Sequence, residues 1–261
     1  MNPIIQSLYV EILKARRSKM PLITLLGFSL VPFVAGFFML IIRDPEMARR
    51  MGIISAKAQI IAGDADWTAF LGVITQATAI GGVILFSFIA SWVFGREYSD
   101  RTISDLLALP TPRSYIVLSK FILVFSWSAI LVMTIYLMGL GVGTAIRLPF
   151  GSSDVIQQGT QTLVVTAMLT AALATPVAFV ACAGRGYLAP MGFAIFMVIL
   201  AQIIVAAGWG EYFAWSIPAL YAGVAGPAYT QLGMVSYAIL LVTSVLGIVG
   251  TFAWWTYADQ T

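Results

Sequence analysis

The chain has 261 residues, of which 60% are hydrophobic and only 10% are charged, and its formal net charge is +3. A soluble domain carries about 25% charged residues, so this chain has too few charges to cover a surface in water. The small basic excess fits the edges of a membrane protein better than a nucleic-acid-binding surface. The composition therefore excludes a soluble globule and predicts a protein whose main partner is the lipid bilayer.

The first 19 residues precede any apolar run long enough to cross a bilayer. Glu11 and Lys14 fall on one side of a helical projection, and the apolar Ile5 and Tyr9 fall on the other. This pattern predicts an amphipathic helix that lies in the headgroup layer, with a basic end leading into the first span. A plain positive anchor for that span, with no further role, is the alternative.

Six apolar runs follow, separated by polar or proline-broken segments. Each run reaches the roughly 20 residues that an α-helix needs to cross the hydrocarbon core. The predicted spans cover residues 20–42, 69–94, 115–146, 160–183, 189–208 and 233–255. We therefore expect an all-α integral membrane protein in which residues 1–261 form one transmembrane domain, with six transmembrane helices after the amphipathic interfacial helix (1–19).

An aromatic stretch broken by prolines, residues 209–231, precedes the last span. Its Trp and Tyr side chains are typical of an interfacial belt. Pro218 and Pro227 also permit a segment that dips back into the membrane, which is tolerated only where protein buries the broken backbone. Because the stretch is longer than a plain turn requires, we favour the re-entrant interpretation.

The distribution of Lys and Arg predicts the orientation of the chain. The amino terminus and one set of alternate loops hold nine basic residues, and the other set holds five. The first group is Lys14, Arg16, Arg17, Lys19, Arg96, Arg101, Arg113, Lys120 and Arg185, and the second is Arg43, Arg49, Arg50, Lys57 and Arg147. Because basic residues concentrate on the cytoplasmic side, both termini are predicted to be cytoplasmic. The four basic residues at 43–57 oppose this trend.

Several kinds of chemistry are missing from the sequence. The chain has no histidine and one cysteine, Cys182, inside an apolar run, so we predict no catalytic residue and no metal site. It has no GxxxxGKS/T phosphate-binding loop and no carboxylate deep inside a span. Lys120, near the start of the third span, is expected to snorkel to the cytoplasmic surface. Transport against a gradient would thus need an energy source on a partner chain.

The segment 95–114 is short, charged and placed between the second and third spans. Ser99 or Asp100 is able to cap a helix through Thr102–Leu109, which Pro110 would end. A short amphipathic helix exposed between two spans is suited to docking in a groove of a partner. A charged hairpin that only keeps the loop out of the bilayer is the alternative, and the residues alone leave both open.

The run from 94 to 120 resembles the hallmark loop of ABC-2 type permeases. It reads FGREYSDRTISDLLALPTPRSYIVLSK. The matching positions are Phe94, Gly95, Arg96, Glu97, Asp100, Thr102, Leu106, Leu107, Pro110, Arg113 and Lys120. The helix bearing Glu11, Lys14 and Arg17 is similar to the connecting helix of that family, and AWSIPALYAG resembles its re-entrant segment. Within the family, the permeases of bacitracin- and lantibiotic-type export systems look most similar.

The resemblance implies a half-transporter with the fold of an ABC-2, or type V exporter-like, permease. Two permease copies, as a homodimer or with a homologue, would associate with two copies of a separate ATP-binding subunit. ATP and Mg would lie on that partner, so this chain is expected to be a non-catalytic subunit without its own cofactor. The implied coupling residues are Arg96, Glu97, Tyr98, Asp100, Arg101, Thr102, Asp105, Leu106, Leu107 and Pro110. The expected location is a prokaryotic plasma membrane.

The family also places the substrate path between the second and fifth spans of the two permease copies. In this sequence those spans offer Gln76, Phe86, Phe88, Phe193, Phe196, Met197 and Gln202. An apolar wall with aromatic and methionine side chains suits an amphipathic or hydrophobic substrate. Packing against lipid or neighbouring helices is the ordinary alternative for each of these side chains.

Two other functions compete with an ATP-driven exporter. The first is an ATP-independent channel or secondary carrier, which the lack of acids inside the spans disfavours when transport is ion-coupled. The second is a membrane-embedded enzyme that modifies lipids, which the absence of histidine and of an Asp-rich motif disfavours.

Overall fold

The computed structural model describes residues 3–43, 65–103, 106, 111–149, 153–226 and 232–258. All regular structure in these ranges is helical, and six of its segments are long and apolar enough to cross a bilayer. The predicted all-α membrane architecture is therefore confirmed.

The helices follow the predicted order along the chain, with some different ends. They are α1 (Pro3–Arg17), α2 (Met20–Arg43), α3 (Trp67–Ser99), α4 (Arg113–Ala145), α5 (Ser153–Ala172), α6 (Ala174–Ala183), α7 (Leu188–Ala206), α8 (Ile217–Tyr221) and α9 (Met234–Tyr257). The six span helices are α2, α3, α4, the pair α5–α6, α7 and α9.

Helix α3 is the centre of the bundle. It packs against α2, α4, α5, α6 and α7, and it is the most buried of the six spans. Helices α2, α7 and α9 lie at the periphery, where Leu30, Phe196 and Leu246 are 62%, 57% and 65% exposed. Since an apolar face of this kind is stable only in lipid or against another subunit, these three helices form part of the outer surface.

Glycines let α4 approach α3 closely. A Cβ atom on Gly139 would lie 2.7 Å from the Cδ1 atom of Ile74, and one on Gly143 would overlap the Trp67 ring. The GxxxG spacing of these two glycines therefore serves packing within the chain, where small residues bring helix backbones together.

The fourth span is broken at Leu173, between α5 and α6. Pro176 follows in the first turn of α6, where it has no N–H to donate and its ring hinders the preceding helical turn. The Thr175 hydroxyl donates to the carbonyl of Ser244 at 2.8 Å. A Cβ on Gly247 would collide with the Thr175–Pro176 backbone, so α9 packs tightly against the break.

The described part of the 209–231 stretch folds back among the spans. Two 3-10 turns, Gly210–Tyr212 and Ala214–Ser216, lead into α8. The ring of Trp215 lies 5.6 Å from that of Phe193, which is 13 residues before the end of α7. At 1.5 Å per residue this contact is about 20 Å below that helix end. The segment thus re-enters the bundle, and protein buries its broken backbone; residues 227–231 lie outside the described ranges.

Candidate coupling site

Five chain segments meet at one end of the bundle, here termed the α1 end. Helix α1 packs across the first turns of α4, and Ser7 and Ser119 share a hydrogen bond of 2.8 Å. The last turn of α3 touches the turn after α6, where a Cβ on Gly95 would lie 2.6 Å from the Gly186 carbonyl oxygen. Arg113, at the start of α4, donates to the last turn of α9 through a 3.1 Å bond.

Five charged side chains from three of these helices form one connected group, termed the charge cluster. Its members are Glu11 and Lys14 of α1, Arg96 and Glu97 of α3, and Lys120 of α4. The ammonium of Lys120 lies 2.8 Å from Glu97 Oε1 and 3.3 Å from Glu11 Oε2, and it also donates to the Val93 carbonyl at 2.8 Å. Lys120 therefore has three acceptors around its nitrogen.

The other two cations, Lys14 and Arg96, lie on the outer side of the cluster. Lys14 lies 2.9 Å from Glu11 Oε1 and 3.1 Å from Glu97 Oε1. The Arg96 guanidinium is 3.5 Å from Glu97 and 4.0 Å from Glu11, and its carbon lies 4.5 Å from the centre of the Trp92 ring. Three cations and two carboxylates leave an excess positive charge, which the Trp92 ring face stabilises.

The position of Lys120 corrects the sequence prediction. Lys120 does not snorkel to the surface: it is fully buried, and the Glu97 side chain is only 3% exposed. A buried charge is tolerated when partners replace its hydration, and two carboxylates and a carbonyl do so here. The prediction that α3 would end before the charged loop was also inaccurate, because the helix continues to Ser99 and carries Glu97 inside the bundle.

A signal for this pair was present in the sequence. An ionisable residue inside a span calls for a partner. Glu97 follows the predicted end of the second span by three residues, so it is the acid nearest to that end of the span. Glu11 was harder to find, because its separation from Lys120 is 109 residues.

The α1 helix presents its polar side to the protein. Glu11 is buried, whereas Ile5 and Tyr9 are 55% and 62% exposed. The polar face of this helix therefore binds α3 and α4, and its apolar face is left for lipid.

The backbone carbonyl of Glu97 also helps to end α3. Arg101 has a left-handed backbone (φ 56°), and its N–H donates to the Tyr98 carbonyl at 3.3 Å. The Thr102 N–H donates to the Glu97 carbonyl at 2.9 Å. These two bonds form a Schellman motif, in which the chain leaves the helix at a fixed angle. The side chain of Glu97 thus holds α1 and α4, and its carbonyl sets the start of the loop.

The predicted coupling residues fall into three groups. Arg96, Glu97 and Tyr98 lie in the last turns of α3, at half-buried or buried positions. Asp100, Arg101 and Thr102 are exposed, and Leu106 packs against the core. Asp105, Leu107 and Pro110 lie outside the described residues, with most of the helix predicted for Thr102–Leu109.

An open polar cleft of about 550 Å³ connects the predicted interfacial helix with this loop. It is lined by Lys14, Arg17, Ser18, Trp92, Arg96, Glu97, Asp100, Thr102 and Tyr187. The structure therefore brings four of the residues predicted for partner coupling together with two of the interfacial helix, namely Arg96, Glu97, Asp100 and Thr102 with Lys14 and Arg17.

The predicted path residues, in contrast, lie in several places within one copy of the chain. Gln76 and Phe88 line an open groove between α2 and α3, and Gln202 lines a small cavity between α3, α7 and the re-entrant segment. Phe193 and Met197 pack around Trp215, and Phe196 faces outward. Phe86 is fully buried and packs edge-to-face on Phe28, so it does not lie on a surface shared with the others.

Within the described ranges, no group of three or more His, Cys, Asp or Glu side chains is placed to hold a metal ion. Cys182 is buried, and its sulfur accepts a 3.2 Å hydrogen bond from the Trp255 indole.

Six candidate spans and an amphipathic helix tied to them by charge define a multi-pass membrane protein. The chain belongs to the ABC-2 family of transporter proteins, whose family model matches residues 7–201. It is also similar to the bacitracin transport permease protein BCRB of Bacillus licheniformis, with 26% identity over 179 residues, which cover 68% of this chain and 85% of that relative. No solved structure matches. The resemblance inferred from the loop is thus confirmed, and membership of the family implies an ATP-binding partner.

Proposed function

We propose that this chain is the membrane subunit of an exporter that moves an amphipathic or hydrophobic substrate across a prokaryotic plasma membrane. ATP hydrolysis on a separate subunit supplies the work, with two permease copies and two ATP-binding subunits in the complex. ATP and Mg bind to the partner, and this chain has no catalytic residue of its own. Both termini and the 95–114 loop face the cytoplasm.

The observation that carries this proposal is the charge cluster beneath the loop. A partner that moves the loop moves the end of α3, and the cluster links that end to α1 and α4 through contacts of 2.8–3.3 Å. Charge-assisted bonds of this length between buried groups resist separation. We therefore infer that the three helices move as one unit when the partner closes on ATP.

The exposed apolar faces of the peripheral helices support a second permease copy. Ile195, Phe196, Ile199 and Ile203 of α7 are 46–60% exposed along one side of the helix. A path between the second and fifth spans of two copies would place this side opposite its counterpart. The apolar lining suits a substrate with apolar surface.

The relative from Bacillus licheniformis gives the first compound to test. That relative is named as a bacitracin transport permease, and bacitracin is therefore our first candidate substrate. The chain is co-expressed with a candidate ATP-binding subunit and reconstituted in proteoliposomes. We expect bacitracin movement that requires ATP and stops when the phosphate-binding lysine of the partner is replaced.

Docking of the partner at the 95–114 loop is tested by reversing the charge of two matched arginines. Arg101 and Arg147 are both exposed, both have left-handed backbones (φ 56° and 53°), and each follows a span helix at opposite ends of the bundle. We expect Arg101→Glu to lower partner co-purification and ATP turnover roughly tenfold, as expected for charge reversal in a docking surface, and Arg147→Glu to leave both unchanged. Equal behaviour of the two variants would contradict docking at this loop.

The buried Glu97–Lys120 pair favours one alternative, an ion-coupled secondary carrier, because paired ionisable groups inside spans also serve proton transport. Substrate accumulation driven by an imposed proton gradient, without nucleotide or partner, would support the carrier. Transport that continues in the presence of a protonophore and fails without ATP would support the exporter.

A further inference from the structure

A cavity of about 460 Å³ lies between α4 and α5, and none of the described residues of α7 lines it. Phe86 of α3 and Phe125 of α4 form part of its wall, and most of its lining is apolar. Met133 and Met168, at its outer edge, are 58% and 67% exposed. The cavity therefore opens sideways to the bilayer, so that a molecule dissolved in the membrane can enter it.

The cavity continues into a second, more polar hollow of about 650 Å³. The two share Tyr136, Thr160 and Val164, and the Tyr136 and Thr160 hydroxyls form a 2.8 Å hydrogen bond between them. The outer hollow is lined in addition by the amide side chains of Gln157 and Gln161. Together they form a groove with an apolar inner end and a hydrogen-bonding mouth, far from the α1 end.

A buried hydroxyl marks the inner end of this groove. Ser128 is 2% exposed, lines the cavity, and its Oγ has no hydrogen-bond partner among the described residues. It lies eight residues before Tyr136 on α4, which is about 12 Å along the helix. An unpaired hydroxyl in an apolar site is unfavourable, and a ligand group that bonds to it would remove that penalty.

The mouth of the groove does not suit an anion. None of the described residues that line the two hollows is charged. Asp154, one turn before Gln157, adds a carboxylate to this end of α5. A phosphate would therefore meet no cationic side chain among the described residues that line the groove, whereas hydroxyl groups match the amides of Gln157 and Gln161.

We propose that this groove binds a bilayer lipid with an uncharged, hydroxyl-bearing headgroup. One apolar chain fills the cavity, the headgroup contacts the two glutamines, and a polar group part-way along the chain bonds to Ser128. This site is separate from the α3–α7 region of the transport path, and it does not depend on the ATP-binding partner.

The test uses the full chain in lipid nanodiscs and a monoacylglycerol with a photoactivatable diazirine in its chain. Peptide mass spectrometry maps the labelled residues. We expect saturable labelling concentrated on residues 125–136 and 160–171. Ala129→Phe, which fills the groove, should lower this labelling roughly tenfold, because a ring in the cavity excludes the chain. Ala253→Phe, at an exposed alanine of α9 away from the groove, should leave it unchanged.

A second variant tests the hydroxyl without changing the volume. In the wild type, a monoacylglycerol with a mid-chain hydroxyl should displace the probe about fivefold better than the plain compound, as one added hydrogen bond predicts. In Ser128→Ala this advantage should disappear, while the plain compound competes as before. Elution and melting profiles of each variant report on its folding.

Three results would overturn the proposal. They are non-saturable labelling spread equally over α4, α5 and α9, stronger competition by phosphatidylglycerol than by monoacylglycerol, and an undiminished hydroxyl advantage in Ser128→Ala. None of them bears on the ATP-driven function, which is measured separately.

Discussion

Lys120 and Glu97 are charged residues that are buried inside the helix bundle. Each ion would be strongly destabilised alone in a low-dielectric interior. Their 2.8 Å contact, with Glu11 and the Val93 carbonyl, replaces the water that both would otherwise bind. One oxygen of Glu97 nevertheless has no hydrogen-bond partner among the described residues. The cluster is therefore well paired around Lys120 and incompletely satisfied at Glu97.

This arrangement predicts strong coupling between the two residues. Lys120→Met removes the central cation and leaves two close carboxylates, so we expect a loss of roughly 3 kcal/mol of unfolding free energy. Glu97→Gln should also destabilise, and the double variant should lose less than the sum of the two. Unfolding in mixed detergent micelles measures all three. Additive losses would show that the pair does not act as a unit.

Gly95 has a separate, steric role. Its hydrogen faces the Gly186 carbonyl oxygen, and a Cβ atom would lie 2.6 Å from that backbone atom. Because neither backbone can yield easily, Gly95→Ala should destabilise the fold by about 1–3 kcal/mol. Gly81, in the same helix, has nothing within 4 Å of such a Cβ. There the same change should stabilise by about 0.5–1 kcal/mol, since alanine is the better helix former. Changes of the same sign would contradict this packing.

At the scale of elements, three helices end in the same way. α3, α4 and α6 are each followed by an arginine with a left-handed backbone, at Arg101, Arg147 and Arg185 (φ 56°, 53° and 50°). Each makes the paired bonds of a Schellman motif, for which glycine is the usual residue. Arginine adds backbone strain and contributes a positive charge close to the negative end of the helix dipole.

The strain can be separated from the charge. Arg101→Ala removes only the charge, and Arg101→Gly removes the charge and the strain. We expect the glycine variant to be more stable than the alanine variant by about 1 kcal/mol. At Ser126, an exposed helical position of α4, the alanine variant should instead be more stable than the glycine variant by a similar amount. Thermal unfolding of the four variants is the measurement, and an identical order at both sites would exclude the strain.

The elements were predictable where hydropathy alone decides them. The six apolar runs identified the six spans, because a run of that length is stable only across the bilayer. The sequence pattern assigns the last turn of α3 to a loop, because Arg96 and Glu97 are polar. Hydropathy carries no information on the ion pair that Glu97 forms with Lys14, which lies 83 residues away along the chain. Phe86 was assigned to a path for a similar reason: the sequence shows that a phenylalanine is in a span but not which helix it faces.

At the scale of the whole molecule, the two ends of the bundle differ in their construction. The α1 end is held by buried charges, by the Gly95–Gly186 contact and by the Arg113 bond to α9. At the far end, Arg43 donates to the Ile146 carbonyl at 2.8 Å, and the re-entrant segment fills the space between spans. Among the described residues, the end that is expected to meet a partner is thus the one whose helices are joined by buried ion pairs.

The orientation of these two ends can be tested directly, because Cys182 is fully buried and should not react with a membrane-impermeant maleimide. Arg101→Cys and Arg147→Cys each place a thiol at an exposed turn, at opposite ends of the bundle. The excess of basic residues at the α1 end predicts that this end is cytoplasmic. In intact cells the maleimide should therefore label Arg147→Cys and not Arg101→Cys, and in inverted vesicles it should label Arg101→Cys and not Arg147→Cys. If intact cells labelled Arg101→Cys instead, the loop would face away from any ATP-binding subunit, and coupling through it would be impossible.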